Sequence, residues 1–329
     1  MKKILNHLFE NKTFSRAEAQ KILTSIALGE FNHSQIAAFI TAYGMRNITV
    51  EELQGFRDAM LDLCLKVDFS DFELIDLCGT GGDGKDTFNI STLASFVVAG
   101  AGHQVAKHGN YGVSSGCGSS NVMEYLGYSF TNQENELKRS LDKAGICFIH
   151  APLFNPAMKT VAPIRRELGV KTFFNMLGPM CNPAKPKNQM VGVFSLELAR
   201  IYAYLYQQTD KNYSIVHAVD GFDEVSLTCD FKTFTKKGEA LLKVADLGFE
   251  QLEEKQIQGG DTIESSAKIF MDVLEGNATD AQTNVVLCNA ALAIQTIKQD
   301  KAFADCYYEA EESLLSKKAL GSFRKLVNG

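Results

Sequence analysis

The stretch Leu74-Ile-Asp-Leu-Cys-Gly-Thr-Gly-Gly-Asp-Gly84 runs from an apolar segment into a loop that contains four glycines. Asn89-Ile-Ser-Thr92 and a run of small residues up to Gly102 follow it. A second polar loop, Lys107-His-Gly-Asn-Tyr-Gly-Val-Ser-Ser115, then precedes Gly118-Ser-Ser120. This pattern predicts the order strand, glycine turn, helix, strand, glycine/serine turn, helix.

Both loops have the composition of anion-binding turns. Glycines accept positive φ and carry no Cβ, so backbone N–H groups can converge on one anion. A helix that begins near Asn89 adds unpaired N–H groups and the positive end of its dipole. Lys107 and the serines of the second loop supply further donors. Two such loops predict a ligand with two separated anionic groups, although either loop alone is compatible with an ordinary turn.

The glycine spacing does not favour the common nucleotide sites. It differs from the dinucleotide-binding Rossmann pattern, and it lacks the Gly-Lys-Ser/Thr ending of a P-loop. Neither a dinucleotide nor ATP is therefore the expected ligand.

Composition places the chain among ordinary globular proteins. It has 329 residues, of which 45% are hydrophobic and 22% charged, enough for one or two domains. A net charge of −6 argues against a broad nucleic-acid surface, and no apolar run approaches the ~20 residues of a membrane helix. No secretory signal is recognisable, and the eight cysteines lack zinc-ligand or redox spacing. We expect a cytoplasmic protein with reduced cysteines and no nucleic-acid or membrane partner.

The rest of the chain divides into a helical start and an alternating part. The capping boxes at Ser15 and Thr49, each with a Glu three residues later, predict helices in the first ~65 residues. From Phe72 onward, strand-like runs alternate with helical patterns, which predicts a mainly parallel sheet flanked by helices. We also expect a helix over residues 156–168, a loop over residues 175–186 and a solvated face for the acidic run 309–312.

Ordered motifs extend over nearly the whole chain, and together they are far more specific than any one of them. They include Gly79-Thr-Gly-Gly-Asp-Gly84, Asn89-Ile-Ser-Thr92, Lys107-His-Gly-Asn110, Pro163-Ile-Arg-Arg-Glu-Leu-Gly169, Phe174-Asn-Met-Leu-Gly-Pro179 and Gly221-Phe-Asp-Glu-Val-Ser226. This set resembles the anthranilate phosphoribosyltransferase family of tryptophan biosynthesis. The resemblance implies transfer of phosphoribosyl from phosphoribosyl pyrophosphate (PRPP) to the anthranilate amine, giving N-(5-phosphoribosyl)anthranilate and pyrophosphate.

The resemblance also implies the architecture. We expect an α/β protein with a small N-terminal helical domain and a larger domain built on a mainly parallel central sheet flanked by helices. The expected boundaries are 1–70 for the helical domain, joined by a returning segment near 170–186, and 71–329 for the PRPP-binding domain. The family further implies a homodimer formed through the helical domain.

Lys107, Asn110 and Arg165 are the catalytic residues that the resemblance implies. Arg165 is expected to bind the anthranilate carboxylate, because a guanidinium fork matches a carboxylate with two bonds. Gly79, His108 and Asn110 are expected to contact anthranilate as well. Without the resemblance, Arg165 would be interpreted as a surface salt-bridge residue.

Two magnesium ions per active site are implied, with Ser91, Asp223 and Glu224 as ligands. Hard oxygen ligands suit Mg²⁺, which uses few carboxylates and keeps waters. An isolated Asp-Glu pair would instead be interpreted as a solvent-facing turn. The expected PRPP contacts are Gly79, Gly82, Asp83, Thr87, Asn89, Ile90, Ser91, Thr92, Lys107, Ser114, Ser115 and Ser119.

Four positions depart from the family pattern. Tyr111-Gly112 stands where Arg-Ser is usual, Asn121 replaces an Asp, and Asn155 replaces a His of the acceptor channel. The change at Tyr111 removes a cation and that at Asn121 removes an anion, so their effects on PRPP binding have opposite signs. Two alternatives stay open: a pyrimidine nucleoside phosphorylase of the same fold, and a non-enzymatic homologue that binds nucleic acid.

Overall fold

The structure, a computed structural model, describes residues 1–112 and 117–329. Ser114 and Ser115, both predicted to contact PRPP, lie outside the described residues. The helices and strands follow one another as α1 Lys2–Phe9, α2 Arg16–Ala27, α3 His33–Gly44, α4 Val50–Leu63, β1 Leu74–Gly79, α5 Ile90–Gly100, β2 Gln104–Gly109, α6 Ser119–Tyr125, α7 Glu134–Ala144, β3 Ile146–His150, α8 Ala151–Phe154, α9 Ala162–Leu168, α10 Phe174–Leu177, β4 Asn188–Gly192, α11 Leu196–Gln207, β5 Asn212–Ala218, β6 Phe231–Thr235, β7 Gly238–Leu242, α12 Ile263–Glu275, α13 Asp280–Ile297, α14 Phe303–Leu315 and α15 Lys318–Val327.

The chain forms two compact units. The helical unit comprises residues 1–67 and 151–185, and the α/β unit comprises residues 68–150 and 186–329. Residues 151–185 of the helical unit start earlier in the chain than the returning segment near 170–186 that the resemblance implies. They begin where β3 ends and stop two residues before β4, so nearly the whole β3–β4 connection belongs to the helical unit.

An aromatic cluster holds the returning segment to the N-terminal helices. Phe173 stacks on Phe56 of α4 with ring centroids 4.7 Å apart, and it forms an edge-to-face pair with Phe39 of α3 at a centroid distance of 6.1 Å. Helices α2 and α4 approach so closely that a Cβ at Gly55 would lie 2.2 Å from the Arg16 carbonyl oxygen. Glycine at position 55 therefore sets the spacing of these two helices.

Two parts of the returning segment differ from the sequence-based expectation. The helix expected over residues 156–168 is broken into a 3₁₀ turn at Pro156–Thr160 and α9. Pro163 lacks the N–H that a continuous helix would need and is tolerated only in the first turn of α9. The loop expected over residues 175–186 instead contains most of α10 and a 3₁₀ turn at Gly178–Cys181.

Glu52 is the polar centre of the helical unit. Its side chain is fully buried and forms the capping box predicted with Thr49. It also accepts hydrogen bonds from Tyr43 Oη at 2.8 Å and Phe14 N–H at 3.1 Å, and it pairs with Arg46. Burial favours the protonated form, but the hydrogen bonds outweigh it and lower the pKa of the Glu52 carboxyl.

We expect Glu52→Gln to lower the free energy of unfolding by about 2–3 kcal/mol. The glutamine amide carries no charge, and its NH₂ group would face hydrogen-bond donors that the Glu52 carboxylate now accepts from. The chain has no tryptophan, so urea unfolding is best followed by circular dichroism. Glu51→Gln, on the exposed side of the same helical turn, is the matched control and should change stability by less than about 0.5 kcal/mol. Equal stability of the two variants would contradict this account of Glu52.

The α/β unit is built on a seven-stranded sheet in the order β3-β2-β1-β4-β5-β6-β7. The first five of these strands run parallel, and β6 and β7 form an antiparallel hairpin at one edge. Helix α5 is almost wholly buried and packs against α13 and α15. The expected fold class, an α/β domain with a mainly parallel sheet beside a helical domain, is confirmed. Within the described residues, none of the helices combines the length and the hydropathy needed to cross a bilayer.

Glu309 departs from the solvated face expected for residues 309–312. Its side chain is only 18% exposed and accepts from Lys301 Nζ at 2.5 Å and Lys298 Nζ at 3.0 Å. His103 Nε2 lies 2.7 Å from the same carboxylate. Burial raises the pKa of Glu309, but hydrogen bonds from Lys301, His103 and Lys298 outweigh that effect and lower it to about 2.

This carboxylate should give stability a defined pH dependence. Its pKa is lower in the folded chain than the ordinary value of 4.5, so its contribution is complete above that pH and disappears as the pH falls toward about 2. We expect Glu309→Gln to lower the unfolding free energy by about 1–2 kcal/mol at pH 7, since solvent screens the two lysines. The difference from wild type should narrow from pH 4.5 downward in thermal unfolding. Glu312→Gln, whose side chain is 53% exposed, should show no such pH-dependent difference.

Candidate active site

The site lies where the strand order reverses. From β1 the chain adds β2 and β3 on one side of the sheet, and then β4 and β5 on the other. Open α/β sheets bind ligands at the carboxyl ends of the strands beside such a reversal. Gly79 and Gly192 are paired there as the last residues of β1 and β4.

Asp223 and Glu224 reach this point through a turn after β5. Gly221 adopts φ +97°, which places the Phe222–Glu224 segment across the strand ends. This segment lies so close to the end of β4 that a Cβ at Gly192 would be 1.4 Å from the Asp223 carbonyl oxygen. A Cβ at Gly79 would lie 2.3 Å from Asp223 Oδ2. The two glycines at the strand ends thus make room for the acidic pair.

Both carboxylates accept hydrogen bonds from the glycine loop and from the helix that follows it. Gly81 N–H donates to Asp223 Oδ2 at 2.7 Å, and Ser91 N–H in the first turn of α5 donates to Glu224 Oε1 at 3.1 Å. Thr87 Oγ1 lies 3.4 Å from Glu224 Oε2. In the loop itself, Gly81, Gly82 and Gly84 have positive φ, as the sequence predicts. Gly79 is required for a different reason, because a Cβ there would overlap the Asp223 side chain. The structure therefore brings the glycine loop, the start of α5 and the acidic pair together.

Lys107 is buried beside these groups. Its Nζ donates to the Leu77 carbonyl at 2.5 Å and lies 3.4 Å from Ser91 Oγ. The carboxylate of Asp76, fully buried on β1, accepts from His108 N–H at 3.0 Å. These side-chain bonds link β1 and β2 beyond the backbone-paired positions Leu74 and Ile75. Lys107 is thereby held at the edge of the predicted phosphate site.

The acidic pair lies in a poorly solvated place, where negative charge on its carboxylates is unfavourable. Burial and then the charge of Asp83 raise the pKa of Asp223 to about 7, although the Gly81 N–H opposes the shift. Burial, followed by the charges of Asp223 and Asp83, raises the pKa of Glu224 well above its ordinary range. A cation bound at this pair would relieve both effects.

The donors present suit magnesium. Asp223 and Glu224 offer hard carboxylate oxygens and Ser91 offers a hydroxyl, the ligand types that Mg²⁺ prefers. Within residues 1–112 and 117–329, no three His, Cys, Asp or Glu side chains are grouped as metal ligands, so a dedicated all-protein cage is not formed there. Mg²⁺ normally keeps several waters and uses one or two carboxylates together with substrate phosphates. Asp223 and Glu224 would supply the carboxylates.

Polar side chains link the described residues of the second loop, 107–112, to residues 117–121 and to the start of α5. Asn89 Nδ2 donates to the Cys117 carbonyl at 3.2 Å, which ties the start of α5 to this loop. Ser119 Oγ donates to the Asn110 carbonyl at 3.3 Å. Asn121 Oδ1 accepts from both Gly112 N–H and Gly118 N–H at 3.0 Å. The amide at position 121 therefore fulfils the acceptor role that an Asp would have.

The other residues predicted to contact PRPP or anthranilate, and the divergent Tyr111, differ in how far they are buried. Ile90 and Thr92 are buried in α5, so only their backbone is suited to a ligand. Asp83 Oδ1 accepts from Lys85 N–H at 3.1 Å, and Asn110 is exposed. Tyr111, at a position that departs from the family, has its ring nearly perpendicular to the His150 ring, with the two centroids 5.0 Å apart. The roles of these residues in binding stay predictions.

Arg165 belongs to the helical unit. Its guanidinium is half-buried, lies 5.2 Å from the centre of the Phe174 ring and donates to Asn175 Oδ1 at 3.4 Å. Burial lowers the pKa of Arg165. Across the described parts of the chain no carboxylate pairs with it, which does not support the salt-bridge interpretation, and Arg166 is exposed. Asn155, also in this unit, is buried and donates through Nδ2 to the Ala151 carbonyl at 3.2 Å.

Sequence reasoning missed three positioning residues. Gly192 left a signal, because a glycine inside a strand pattern marks a close backbone approach. Asn289 is a polar residue within the apolar run of α13. Its side chain bonds both the N–H of Val225, at 3.1 Å, and the carbonyl of Val225, at 2.9 Å. Asp76 gave a weaker signal, a lone acid within an apolar strand.

A groove on the helical unit does not coincide with this chemistry. It has a volume of about 580 Å³ and is lined by residues of α2 and α4 together with Lys66 and Lys185. Two of its charged side chains, Arg16 and Asp58, pair with each other at 2.5 Å. We therefore assign the site to the strand ends, where a smaller cavity is lined by Gly79, Ser91, Gly192, Asp223, Glu224 and Asn289.

Comparison with known proteins shows the family of the chain. Residues 71–320 match the a/b domain of a glycosyl transferase family, and residues 2–64 match the helical bundle domain of that family. An anthranilate phosphoribosyltransferase of Christiangramia forsetii is 58% identical over 326 residues, 99% of this chain and 98% of that protein. The chain belongs to the anthranilate phosphoribosyltransferase family. The resemblance seen in the sequence motifs is thereby confirmed.

Solved members of the anthranilate phosphoribosyltransferase family share the fold. The Saccharomyces cerevisiae enzyme in complex with PRPP and Mg has a TM-score of 0.90 and 26% identity, covering 98% of this chain and 96% of its own. The same enzyme in complex with 4-fluoroanthranilate has a TM-score of 0.88 and 25% identity, with coverages of 98% and 95%. The expected enzyme class, a pentosyl-transferring glycosyltransferase, is confirmed by the family.

Proposed function

We propose that the chain transfers the phosphoribosyl group of PRPP to the amine of anthranilate and releases pyrophosphate. The observation that carries this is the convergence of the glycine loop, the start of α5, Lys107 and an acidic pair at the switch point of the sheet. Family membership supports PRPP, rather than another diphosphate, as the ligand of that arrangement. The reaction is the second step from chorismate in L-tryptophan biosynthesis.

Bond making and bond breaking involve the anomeric carbon of PRPP. The anthranilate nitrogen attacks this carbon while the bond between the carbon and the pyrophosphate oxygen breaks, and positive charge develops on the ribose ring. The nitrogen then loses one proton to water or to the departing pyrophosphate. The amine is neutral at pH 7, so attack needs no strong base. Loop N–H groups and Lys107 stabilise the negative charge that grows on the departing pyrophosphate.

Magnesium is the proposed cofactor, with two ions in each active site. Asp223 and Glu224 would hold one ion and Ser91 the other. When bound, magnesium neutralises pyrophosphate charge and orients the PRPP diphosphate. The remaining PRPP contacts are proposed for Gly79, Gly82, Asp83, Thr87, Asn89, Ile90, Thr92 and Ser119, together with Ser114 and Ser115.

Anthranilate is proposed to bind through Arg165, with Gly79, His108 and Asn110 as further contacts. The half-buried guanidinium of Arg165 is free of a carboxylate partner within the described residues, which suits it to the substrate carboxylate.

A homodimer formed through the helical unit and a cytoplasmic location also stay predictions. Sedimentation of the purified chain would test the dimer.

The proposed activity is tested by following anthranilate fluorescence, which tryptophan does not obscure because the chain contains none. We expect fluorescence to fall only when PRPP and Mg²⁺ are both present, with release of pyrophosphate, and EDTA should stop the change. A parallel reaction with uridine and inorganic phosphate tests the phosphorylase alternative. Uridine cleavage, or no loss of anthranilate by the folded protein, would contradict the proposal.

A further inference from the structure

Two backbone N–H groups of the kind that binds phosphate each donate a hydrogen bond to a carboxylate. Gly81 N–H, in the positive-φ part of the glycine loop, donates to Asp223. Ser91 N–H, in the first turn of the eleven-residue helix α5, donates to Glu224. Loop N–H groups of this kind and the first turn of a helix are the usual donors to phosphate oxygens. A phosphate bound to these two donors would therefore have to displace the carboxylates.

We propose that Asp223 and Glu224 exclude metal-free pyrophosphate from the loop N–H groups and so make the site selective for the metal complex of PRPP. This inference rests on the proposed function and adds a second role for the acidic pair. Each carboxylate acts as an internal competitor until a cation coordinates it.

The cost of displacement differs between the two forms of the ligand. A metal-free diphosphate must break two hydrogen bonds to carboxylates and then lie beside their negative charges. A metal-complexed diphosphate brings a cation to which the carboxylates can turn, and both N–H groups are released to the phosphate oxygens. The same residues thus disfavour the free anion and favour its metal complex.

The packing restricts this exchange to the side chains. The Asp223 backbone lies against Gly192 with no space for a Cβ between them. Asn289 fixes the next residue, Val225, by bonding both its N–H and its carbonyl. Since the backbone is anchored on both sides, rotation of the two carboxylate side chains is the available movement.

The test is equilibrium titration calorimetry of the full chain with inorganic pyrophosphate in EDTA. We expect Asp223→Ala to bind metal-free pyrophosphate about tenfold more tightly than wild type, because one N–H is freed. Asp223→Asn should gain about threefold or less, since its amide oxygen still accepts from Gly81 N–H. Asp220→Asn, an exposed site in the same turn, controls for loss of one charge and should remain within about twofold.

The pair of variants at position 223 separates two causes. Equal gains in Asp223→Ala and Asp223→Asn would show that charge repulsion alone acts, and would overturn the proposal. No gain in either variant would overturn it as well. Glu224→Ala repeats the test at Ser91 N–H, so the outcome does not depend on the folding of one variant.

A second titration, of PRPP in Mg²⁺, distinguishes this inference from the proposed function. Wild type should bind PRPP in Mg²⁺, and Asp223→Ala should bind it more weakly than wild type. If wild type binds but the variants show no gain without metal, only the exclusion role is wrong. If wild type does not bind PRPP in Mg²⁺, the proposed function and the inference both fail.

Discussion

We expect Gly192→Ala to reduce anthranilate consumption at least about 100-fold. The new Cβ would lie 1.4 Å from the Asp223 carbonyl oxygen and 2.4 Å from its carbonyl carbon, so the strand end or the acidic segment must shift. A shift of about 1 Å in a site of this kind can cost about 100-fold in rate. Steady-state kinetics with saturating Mg²⁺ measures the loss, and circular dichroism confirms that the variant is folded.

Two further glycines provide the comparison. In Gly79→Ala the new Cβ would lie 2.3 Å from the carboxylate end of the Asp223 side chain, and this side chain can rotate away. The loss of activity in Gly79→Ala should therefore be smaller than in Gly192→Ala. Gly321→Ala, in α15 of the same unit, meets no atom within 4 Å and should retain activity within about twofold. Near-wild-type activity of Gly192→Ala would mean that the placement of Asp223 does not matter for the reaction.

We expect Arg165→Ala to lower kcat/KM for anthranilate by about 100–1000-fold, with KM for PRPP changed by less than about threefold. The variant loses a guanidinium that donates two parallel bonds to a carboxylate. Initial rates at varied anthranilate and fixed PRPP measure the effect. With methyl anthranilate, whose ester carries no negative charge, the variant and the wild type should differ much less.

The adjacent arginine is the matched control. Arg166→Ala removes the same charge from an exposed position and should change kcat/KM by less than about threefold. Arg165→Lys keeps the charge without the fork and should fall between wild type and Arg165→Ala. Equal, small effects of Arg165→Ala and Arg166→Ala would assign the anthranilate carboxylate to another residue.

Local chemistry explains what the sequence predicted. The glycine loop, the start of α5 near Asn89 and the Thr49–Glu52 capping box depend on a few neighbouring residues, so their patterns are visible in the chain. The turn at Gly221 likewise places Asp223 and Glu224 directly after a strand. Such features are predictable because tertiary contacts do not decide them.

Features that depend on distant partners were not predictable. The need for glycine at position 192 arises only because β4 pairs with β1 and the Asp223 segment then crosses it. Glu309 belongs to an acidic run that looks solvated, and its pairing with Lys298, Lys301 and His103 is set by tertiary packing. The break before α9 depends on one proline whose effect varies with its position in a helix.

Counting bound Mn²⁺ by electron paramagnetic resonance, with PRPP added, most directly tests whether Asp223, Glu224 and the start of α5 form one metal-dependent PRPP site. Mn²⁺ takes the oxygen ligands that Mg²⁺ prefers. For wild type and for the Asp220→Asn control, we predict that PRPP raises the bound Mn²⁺ to two ions per chain. The double variant Asp223→Asn, Glu224→Gln should lose one of them. PRPP-dependent binding of the same number of ions with the same affinity in the double variant would contradict the account.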